Sequence, residues 1–536
     1  MPNDKPRIHW SSLLVAMLPL YPLLHFHAGN PVALTTETIT LIGVAAVGGT
    51  LLIGAAAGMI TRQYAASIAA SSVLVLLLLS NGHLRSLLPV IGIPPEETLR
   101  RGPQLILHVL IAAVSVGTFF AVKHQRAVQH ALAVMTVILL LFIVPALAGI
   151  SGTNGSAHST EQCGQPDCTA PVTSGLDDDA GLQASGMQPH ILLLLLDGYG
   201  REDVLRDLYG FDNSRFVSAL RERDFFVADS AAVNYMQTLL SLNSLFSMRP
   251  LDLSGEGVLH VDEAPGRTRQ KLRNLYRHAP VWRLLGDAGY RLAATAMYWI
   301  PAPCGVHMVL RHDGIMSSFG TGLLTNETSW AFLRRLLHSP ARREEESGRT
   351  EINTFMRELL DFSITTAHSS HPTLLFAHVL APHPPFTLAS DEEFGEHIGD
   401  GSHYHRTHGT GPEDYVRKCN LELNVLNEML LRTVDEILES GQPLVLILMS
   451  DHGPGAYLDW DHRQRSNARE RVASFFAVYS SHGDVSGFPH RITPVNVFPL
   501  LFNSHFGTSF PLHDTPAWYS GWKTPLQLED VSHEVW

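Results

Sequence analysis

Two short polar segments carry residue types that could bind a metal ion together. Asp451 and His452 stand side by side directly after the apolar run 444–449. A carboxylate and an imidazole are ligands that Zn²⁺ and Mn²⁺ accept, so this pair could begin a metal site. Asp197 directly follows another apolar run, 191–196, and is a third candidate ligand. Both segments also have a purely structural interpretation, because a carboxylate after a strand commonly caps a turn.

Thr238 offers a hydroxyl that could act with these ligands. It precedes a helical apolar pattern over residues 239–246, and a threonine in this place commonly caps the helix. The same position lies in the positive potential of a helix N-terminus, where an anion docks. If the hydroxyl also bound a divalent cation, its pKa would fall and it could serve as a nucleophile.

The elements that must position these residues follow an α/β pattern. Continuous apolar runs of six or seven residues predict strands buried on both faces, at 191–196, 373–379, 444–449 and 473–479. Amphipathic patterns predict helices between them, near 213–223, 280–288, 350–368 and 413–439. This alternation predicts one α/β domain over 189–536, with a mostly parallel sheet flanked by helices. Ligands of such a sheet bind beyond the carboxyl ends of its strands.

Residues 1–150 have the composition of a membrane domain. They hold eight Lys or Arg and four Asp or Glu, whereas the other 386 residues carry a net charge of −17. A spanning helix needs ~20 mostly apolar residues. Five segments are candidates, near 10–28, 38–60, 64–81, 104–122 and 129–150. The third segment is short and Ser-rich, so a re-entrant or interfacial helix is the alternative there.

Five spans would place the two ends of the chain on opposite sides of the membrane. Basic residues near the N-terminus, at position 62 and at positions 123 and 126 would then share the cytoplasmic side, as the positive-inside rule favours. No Asp, Glu, Lys or Arg lies in the middle of a span, which disfavours a transporter. The sequence therefore predicts a multi-pass protein whose large C-terminal part faces the periplasm or the extracellular space.

Residues 151–188 predict a flexible linker, because they are rich in Gly, Ser and Asp and lack apolar periodicity. Cys163 and Cys168 lie in it and either form a local disulfide or remain two thiols. Cys304 and Cys419 are the other two cysteines and could form a second bridge. The acidic balance of the C-terminal part disfavours a nucleic-acid binder. A mean hydropathy of +0.07 excludes an intrinsically disordered chain.

Four motifs occur in an order that resembles the alkaline phosphatase/sulfatase superfamily. They are Asp197 after an apolar run, Asn-Tyr-Met-Gln-Thr at 234–238, Ala-Pro-His-Pro-Pro-Phe at 381–386 and Ser-Asp-His-Gly at 450–453. The chain looks most similar to bacterial membrane-anchored sulfatase-like proteins related to lipoteichoic acid synthase and to lipid A phosphoethanolamine transferases. Segments 208–214 and 492–498 also look like that group, so the resemblance covers about 190–515.

The resemblance implies an alkaline phosphatase-like fold and roles for single residues. Asp197, Thr238, Asp451 and His452 would hold one divalent metal ion, with Mn, Zn and Mg all left open. Thr238 would be the nucleophile that becomes covalently phosphorylated. His383 would contact the substrate phosphate or help protonate the leaving group, unless it is simply one of the 29 histidines of the chain lying in a loop. Further candidates for substrate contact are Asn234, His378, His462 and Arg471, and His462 is alternatively a residue of a second metal site.

One departure from the family pattern narrows the expected reaction. Sulfatases need a Cys or Ser in a Cys/Ser-x-Pro-x-Arg pattern, which is converted to formylglycine. The corresponding residues 237–241 read Gln-Thr-Leu-Leu-Ser, without Pro or Arg at those offsets. Because Thr cannot give formylglycine, a phosphotransferase is expected rather than a sulfatase.

Three functions remain open from the sequence. The first is a phosphotransferase in the bacterial inner or cell membrane, which would move a phosphoglycerol-type or phosphoethanolamine-type headgroup from a membrane lipid to an envelope glycan or lipid. The second is a phosphodiesterase, a phosphatase or another sulfatase-like hydrolase with the same site and water as the acceptor. The third is a non-catalytic envelope protein that keeps the fold for binding or assembly.

Overall fold

A computed structural model gives the architecture of the chain. It describes residues 10–29, 36–81, 84, 101–148, 182, 188–310, 342–389 and 411–536, apart from positions 255–256, 264, 298–299, 385, 461, 483–484, 486 and 515. Contacts divide the chain into two compact units. The first comprises residues 1–158 and 313–348, and the second comprises 159–312 and 349–536. Most of the expected linker, 151–188, and both of its cysteines lie outside the described residues.

The described part of the first unit is helical. Its helices α1 to α6 span Trp10–Ala16, Leu20–Gly29, Thr36–Thr61, Tyr64–Leu79, Arg101–His124 and Arg126–Ala148. The first expected span, 10–28, is therefore divided into two short helices. Gly54 and Gly58 of α3 allow this helix to pack closely against α4. A Cβ atom on Gly54 would lie only 2.8 Å from the Cα atom of Ile68 in α4. Small residues serve this purpose between helices in membranes.

Two helices in the described residues are long and apolar enough to cross a membrane. They are Ile39–Thr61 and Gln104–His124, and two shorter apolar helices are Tyr64–Leu79 and Arg126–Leu141. Only 22% of the apolar window in each long helix is buried within the protein. This exposure distinguishes them from core helices of a soluble protein and fits contact with lipid. Two of the five expected spans are thus matched by helices of spanning length.

A seven-stranded mixed sheet forms the centre of the second unit. Its strands β1 to β7 span His190–Leu196, Phe226–Val227, Arg291–Thr295, Met308–Leu310, Thr373–Val379, Leu444–Met449 and Phe476–Ser480. Their order across the sheet is β2-β7-β6-β1-β5-β3-β4. The fully buried strand β1 lies between β5 and β6 and is parallel to both. The carboxyl ends of these three strands therefore meet at one edge.

Helices flank the sheet along the second unit. They are α7 to α16, which span Glu202–Tyr209, Ser214–Arg221, Thr238–Ser247, Pro265–Arg277, Pro280–Asp287, Arg342–Ala367, Pro412–Leu438, Ala468–Val472, Pro494–Phe506 and Ser532–Val535. The start of α12, residues 342–348, belongs to the first unit. A small two-stranded sheet of β8 (Trp518–Tyr519) and β9 (Glu529–Asp530) completes the unit. The N-terminal helical region and the C-terminal α/β region agree with the predicted fold class.

An aromatic cluster fixes the helix that begins at Thr238 against the sheet. Phe246 of α9 stacks on Trp282 of α11 with ring centroids 4.3 Å apart. It also meets Phe376 of β5 at 5.2 Å and Phe498 of α15 at 5.5 Å. Offset and edge-to-face ring pairs add to the stabilisation from buried area. The cluster therefore fixes α9 relative to β5.

Candidate active site

The ends of β1 and β6 bring three of the expected metal-site residues together. Asp197 follows β1, and Asp451 and His452 follow β6. The His452 Nε2 atom lies 3.5 Å from Asp197 Oδ1 and 3.2 Å from Asp451 Oδ2. All three residues are buried. The turn after β1 contributes as well, since the Gly198 N–H donates to Asp451 Oδ1 at 3.4 Å.

Thr238 completes this group at the start of α9. Its Oγ1 atom lies 3.2 Å from His452 Nε2. The N-cap position belongs to Gln237, whose side chain makes no capping bond, and Thr238 is the first helical residue. The threonine hydroxyl is therefore directed towards the His452 ring, and the capping interpretation of Thr238 is wrong.

The polar atoms of this group face one another in a way that a cation would stabilise. His452 Nδ1 contacts the Gly453 carbonyl oxygen at 3.0 Å, so in the neutral ring Nδ1 donates and Nε2 keeps its lone pair. That lone pair faces Asp197 Oδ1 and Asp451 Oδ2, and neither oxygen has a hydrogen-bond partner among the described residues. Buried acceptors without donors are costly. The donor set of two carboxylates, one imidazole and one hydroxyl fits a divalent metal ion.

The pKa values of the two carboxylates are shifted in opposite directions. Burial, together with the nearby negative charge of Asp197, raises the pKa of Asp451 to about 7. Burial opposes ionisation of Asp197 as well, but the imidazoles of His383, His378 and His452 hold its pKa below its ordinary value. Burial and the positive charge of Arg471 lower the pKa of His452, so that ring is neutral and can donate a lone pair.

Two further histidines lie beside Asp197. His378 belongs to β5, is fully buried, and places Nε2 3.1 Å from Asp197 Oδ2. His383 lies in the loop after β5, with its ring centroid 5.9 Å from that of His452. Ligand atoms of Asp197, His383 and His452 lie within 4.8 Å of one another, as do those of Asp197, His378 and Asp451. Both histidines thus reach the metal-site residues, although the sequence suggested His378 only for substrate contact.

Arg471 lies next to the group but uses two of its donors on the backbone. Its Nε donates to the Met236 carbonyl at 3.1 Å, and Nη1 donates to the Gly453 carbonyl at 2.9 Å. Met236 precedes Thr238 by two residues, and Gly453 directly follows His452. The guanidinium therefore connects the loop before Thr238 with the loop after β6.

Two of the expected substrate residues have other contacts. The Asn234 side chain donates to the Pro516 carbonyl at 3.3 Å and accepts from the Val495 N–H at 3.2 Å. His462 is about half exposed, and its Nδ1 lies 3.3 Å from Asp459 Oδ1. Asn234 thus joins neighbouring chain segments, and the contacts of neither residue place it with Asp197, Thr238 and His452.

Comparison with known proteins gives structural similarity but no family-model match. No family model matches the sequence, and no curated protein does either. The C-terminal periplasmic domain of EcEptC from Escherichia coli matches with 15% identity and a TM-score of 0.39, over 65% of this chain and 94% of that chain. That domain has also been solved in a complex with Zn. The C-terminal periplasmic domain of phosphoethanolamine transferase EptC from Campylobacter jejuni matches with 12% identity and a TM-score of 0.37, over 60% and 92%.

A full-length membrane protein also matches. The integral membrane lipooligosaccharide phosphoethanolamine transferase A (EptA) from Neisseria meningitidis covers 87% of this chain and 88% of its own, with 11% identity and a TM-score of 0.34. The chain is similar to phosphoethanolamine transferases of known structure. They belong to the group that the sequence resemblance names. Identities of this size say nothing about single residues, whose roles follow from their own contacts.

The structure adds positioning residues that the sequence did not indicate. Ser450 Oγ accepts from the Tyr199 N–H at 3.0 Å and donates to the His452 carbonyl, so it joins the turns after β1 and β6. The buried carboxylate of Glu422, on α13, accepts from the N–H groups of residues 387, 388 and 389 at 2.9 to 3.3 Å. These residues end the described part of the loop that carries His383. The motif Ser-Asp-His-Gly contains Ser450 but did not indicate this positioning role, and no motif contains Glu422.

The bridge between Cys304 and Cys419, which the sequence left open, does not form. Cys419 is a free thiol, fully buried on α13, and burial raises its pKa well above the ordinary value. Cys304 is disulfide-bonded, so its partner is a different cysteine. Cys163 and Cys168, and therefore the suggested local bridge between them, lie outside the described residues.

Gly453 is predicted to be essential for the geometry of the loop after β6. A Cβ atom at this position would lie 2.0 Å from the Glu470 carbonyl oxygen, which belongs to the backbone and cannot rotate away. We expect Gly453→Ala to destabilise the second unit by about 1–3 kcal/mol, the range for overpacking. The expected result is a lower melting temperature together with reduced activity.

Gly487→Ala is the matched control for this measurement. A Cβ at Gly487 would meet nothing within 4 Å, so this variant should melt like the unaltered protein. Equal melting temperatures for Gly453→Ala and Gly487→Ala would contradict the packing that we describe around His452.

Proposed function

We propose that this protein is a metal-dependent phosphotransferase that moves a phosphoryl-alcohol headgroup, of phosphoglycerol or phosphoethanolamine type, from a membrane lipid to an envelope acceptor. One observation carries the proposal. The Thr238 hydroxyl lies 3.2 Å from His452 Nε2, where two buried carboxylate oxygens without hydrogen-bond partners among the described residues also converge. A hydroxyl at the start of a ten-residue helix beside such a group would be able to attack an anionic phosphate.

The metal ion of this proposal would be held by Asp197, Thr238, Asp451 and His452. When bound, it would neutralise charge on the phosphate and lower the pKa of the Thr238 hydroxyl. His383 and His378, close to Asp197, are further candidate ligands or substrate contacts. The identity of the ion stays open among Mn, Zn and Mg.

The transfer would proceed in two displacements. In the first, a bond forms between Thr238 Oγ1 and phosphorus, and the bond between phosphorus and the lipid alkoxide breaks. The threonine proton would end on the departing alkoxide, and we propose that His383 passes it. In the second, the oxygen of an acceptor hydroxyl attacks the same phosphorus and the bond between phosphorus and Thr238 Oγ1 breaks. The proton of the acceptor hydroxyl ends on Oγ1, which restores Thr238. In-line positioning and charge neutralisation supply most of the acceleration in reactions of this class.

The membrane location is part of the proposal. The apolar and largely exposed helices Ile39–Thr61 and Gln104–His124 support an anchored protein, which suits a donor that lies in the membrane. We propose a multi-pass protein of the bacterial inner or cell membrane, divided into a membrane domain at 1–150, a linker at 151–188 and a catalytic domain at 189–536. The catalytic domain would lie on the extracytoplasmic side, and no role with nucleic acid is proposed.

Mass spectrometry after incubation with donor lipids tests this function. The purified full-length protein is mixed with phosphatidylglycerol or phosphatidylethanolamine, digested and analysed without an acceptor. We expect a phosphoryl-linked headgroup on the peptide that contains Thr238, and its mass names the donor. Absence of an adduct with every lipid, in a protein that holds metal, would overturn the proposal. Diacylglycerol and free phosphoalcohol as the only products in the presence of acceptors would favour the hydrolase.

A further inference from the structure

The segment that follows His452 is held by side chains from three helices. Residues 453–457 belong to no helix or strand, so their backbone groups need other partners. Three successive N–H groups of this segment donate to two tyrosine hydroxyls, on α13 and α7, and to one carboxylate, on α14. The pairs are Gly455 with Tyr415 at 3.2 Å, Ala456 with Tyr209 at 3.3 Å and Tyr457 with Glu470 at 2.9 Å.

Two of these side chains, Glu470 and Tyr209, are bonded to each other. Both residues are buried. The Tyr209 hydroxyl donates to Glu470 Oε1 at 2.5 Å, and Glu470 Oε2 accepts from the Tyr457 N–H. Both carboxylate oxygens are therefore in use, and loss of either contact would leave a buried polar atom without a partner. The pair consequently fixes the backbone of residues 456 and 457.

The same segment orients the imidazole of His452. Its first residue, Gly453, accepts from His452 Nδ1 at 3.0 Å through the carbonyl oxygen and donates its N–H to the Arg471 carbonyl at 2.7 Å. Because Nδ1 is held there, Nε2 faces Asp197 Oδ1 and Asp451 Oδ2. A displaced Gly453 carbonyl would turn the lone pair of Nε2 away from these oxygens. Groups that orient a ligand histidine in this way typically change metal affinity roughly 10–100-fold when they are lost.

We infer that Glu470 and Tyr209 are positioning residues of the candidate metal site, which rests on the metal ion of the proposed function. They act on the ion through the backbone of 453–457 and the ring of His452, and they are not ligands themselves. A purely structural role would lower the stability of the protein and leave the metal affinity of its folded form unchanged. A positioning role weakens metal binding by protein that is fully folded, so affinity is the quantity that separates the two roles.

Equilibrium metal binding tests the inference without catalysis. Full-length protein in nanodiscs is titrated with Zn²⁺, Mn²⁺ and Mg²⁺ separately, in competition with a coloured chelator and well below the melting temperature. We expect Tyr209→Phe and Glu470→Ala to weaken binding about tenfold or more. Glu470→Gln keeps an oxygen for the Tyr457 N–H and should recover most of the affinity. In metal-free protein, the amides of 455–457 should exchange hydrogen severalfold faster in Tyr209→Phe and Glu470→Ala.

Tyr290→Phe is the matched control for Tyr209→Phe. Tyr290 is buried, and its hydroxyl has no hydrogen-bond partner among the described residues, so its loss should change neither affinity nor exchange.

The outcomes separate this inference from the proposed function. Unchanged metal affinity or unchanged exchange in folded Tyr209→Phe would overturn the positioning role and leave the metal site standing. Tyr209→Phe keeps the aromatic ring and decides the question if Glu470→Ala fails to fold. Asp451→Asn should lose the bound ion. Retained binding by Asp451→Asn, or no binding of any of the three ions by the unaltered protein, would overturn the proposed metal site and the positioning role together.

Discussion

Replacing Thr238 with alanine is expected to abolish headgroup transfer. The variant lacks the only hydroxyl that we find beside His452 Nε2 in the described residues, where Oγ1 lies 3.2 Å away. Loss of a covalent nucleophile commonly costs roughly 10⁴-fold or more in rate, because the remaining groups cannot form the intermediate. The measurement is release of diacylglycerol from labelled phospholipid, combined with mass spectrometry of the Thr238 peptide. Both the transfer and the adduct should disappear together.

Two further variants serve as controls for Thr238→Ala. Thr238→Ser keeps a hydroxyl at the start of α9 and should retain part of the activity. Ser247→Ala removes a hydroxyl from the same helix that bonds only to backbone carbonyls, of Asn243 and Arg249, and should behave like the unaltered protein. Full activity of Thr238→Ala in a folded protein would show that another group attacks the phosphate and would end the proposed mechanism.

Removal of divalent metal is expected to inactivate the enzyme and to lower its melting temperature. Without a cation, Asp197 Oδ1 and Asp451 Oδ2 are buried near each other without hydrogen-bond partners in the described part of the chain. A ligand that binds only the folded state at about 1,000 times its Kd stabilises that state by about 4 kcal/mol. Treatment with a chelator should therefore lower the melting temperature by several degrees, and added Zn²⁺ or Mn²⁺ should restore both stability and activity.

Asp451→Asn is the variant that links this effect to the site. It removes a charged ligand and should make the melting temperature insensitive to metal. Asp435→Asn is the control, because Asp435 is about half exposed on α13 and pairs with Arg223. Its metal response should be unchanged. If Asp451→Asn kept the full metal-dependent stabilisation, the ion would bind elsewhere in the chain.

The strands that build the site could be predicted because they are buried on both faces. Continuous apolar runs at 373–379 and 444–449 have the same bounds as β5 and β6. A strand that is buried on both faces needs no alternation of apolar and polar residues, so the whole strand is visible as one run. The run 473–479 predicted a strand near β7, but β7 spans Phe476–Ser480 and is antiparallel to β6. Apolar runs carry no information on direction. Strand β3 was missed because its five residues, beginning with Arg291, include few bulky apolar side chains.

The residues of the candidate site also fall into those that the sequence could predict and those that it could not. Asp197, Asp451 and His452 could be predicted because each stands at the end of a recognisable strand, where the chain must turn. Glu422 could not, because its partners at 387–389 are more than thirty residues away along the chain and the carboxylate reaches them only after folding. The free state of Cys419 could not be predicted either, because cysteine spacing does not determine which cysteines pair.

The Gln237 side chain, one residue before Thr238, donates to Ser520 Oγ and to the Gly521 carbonyl. Both partners follow all seven strands of the central sheet along the chain. The surroundings of Thr238 can therefore be completed only after the ribosome has synthesised the whole sheet.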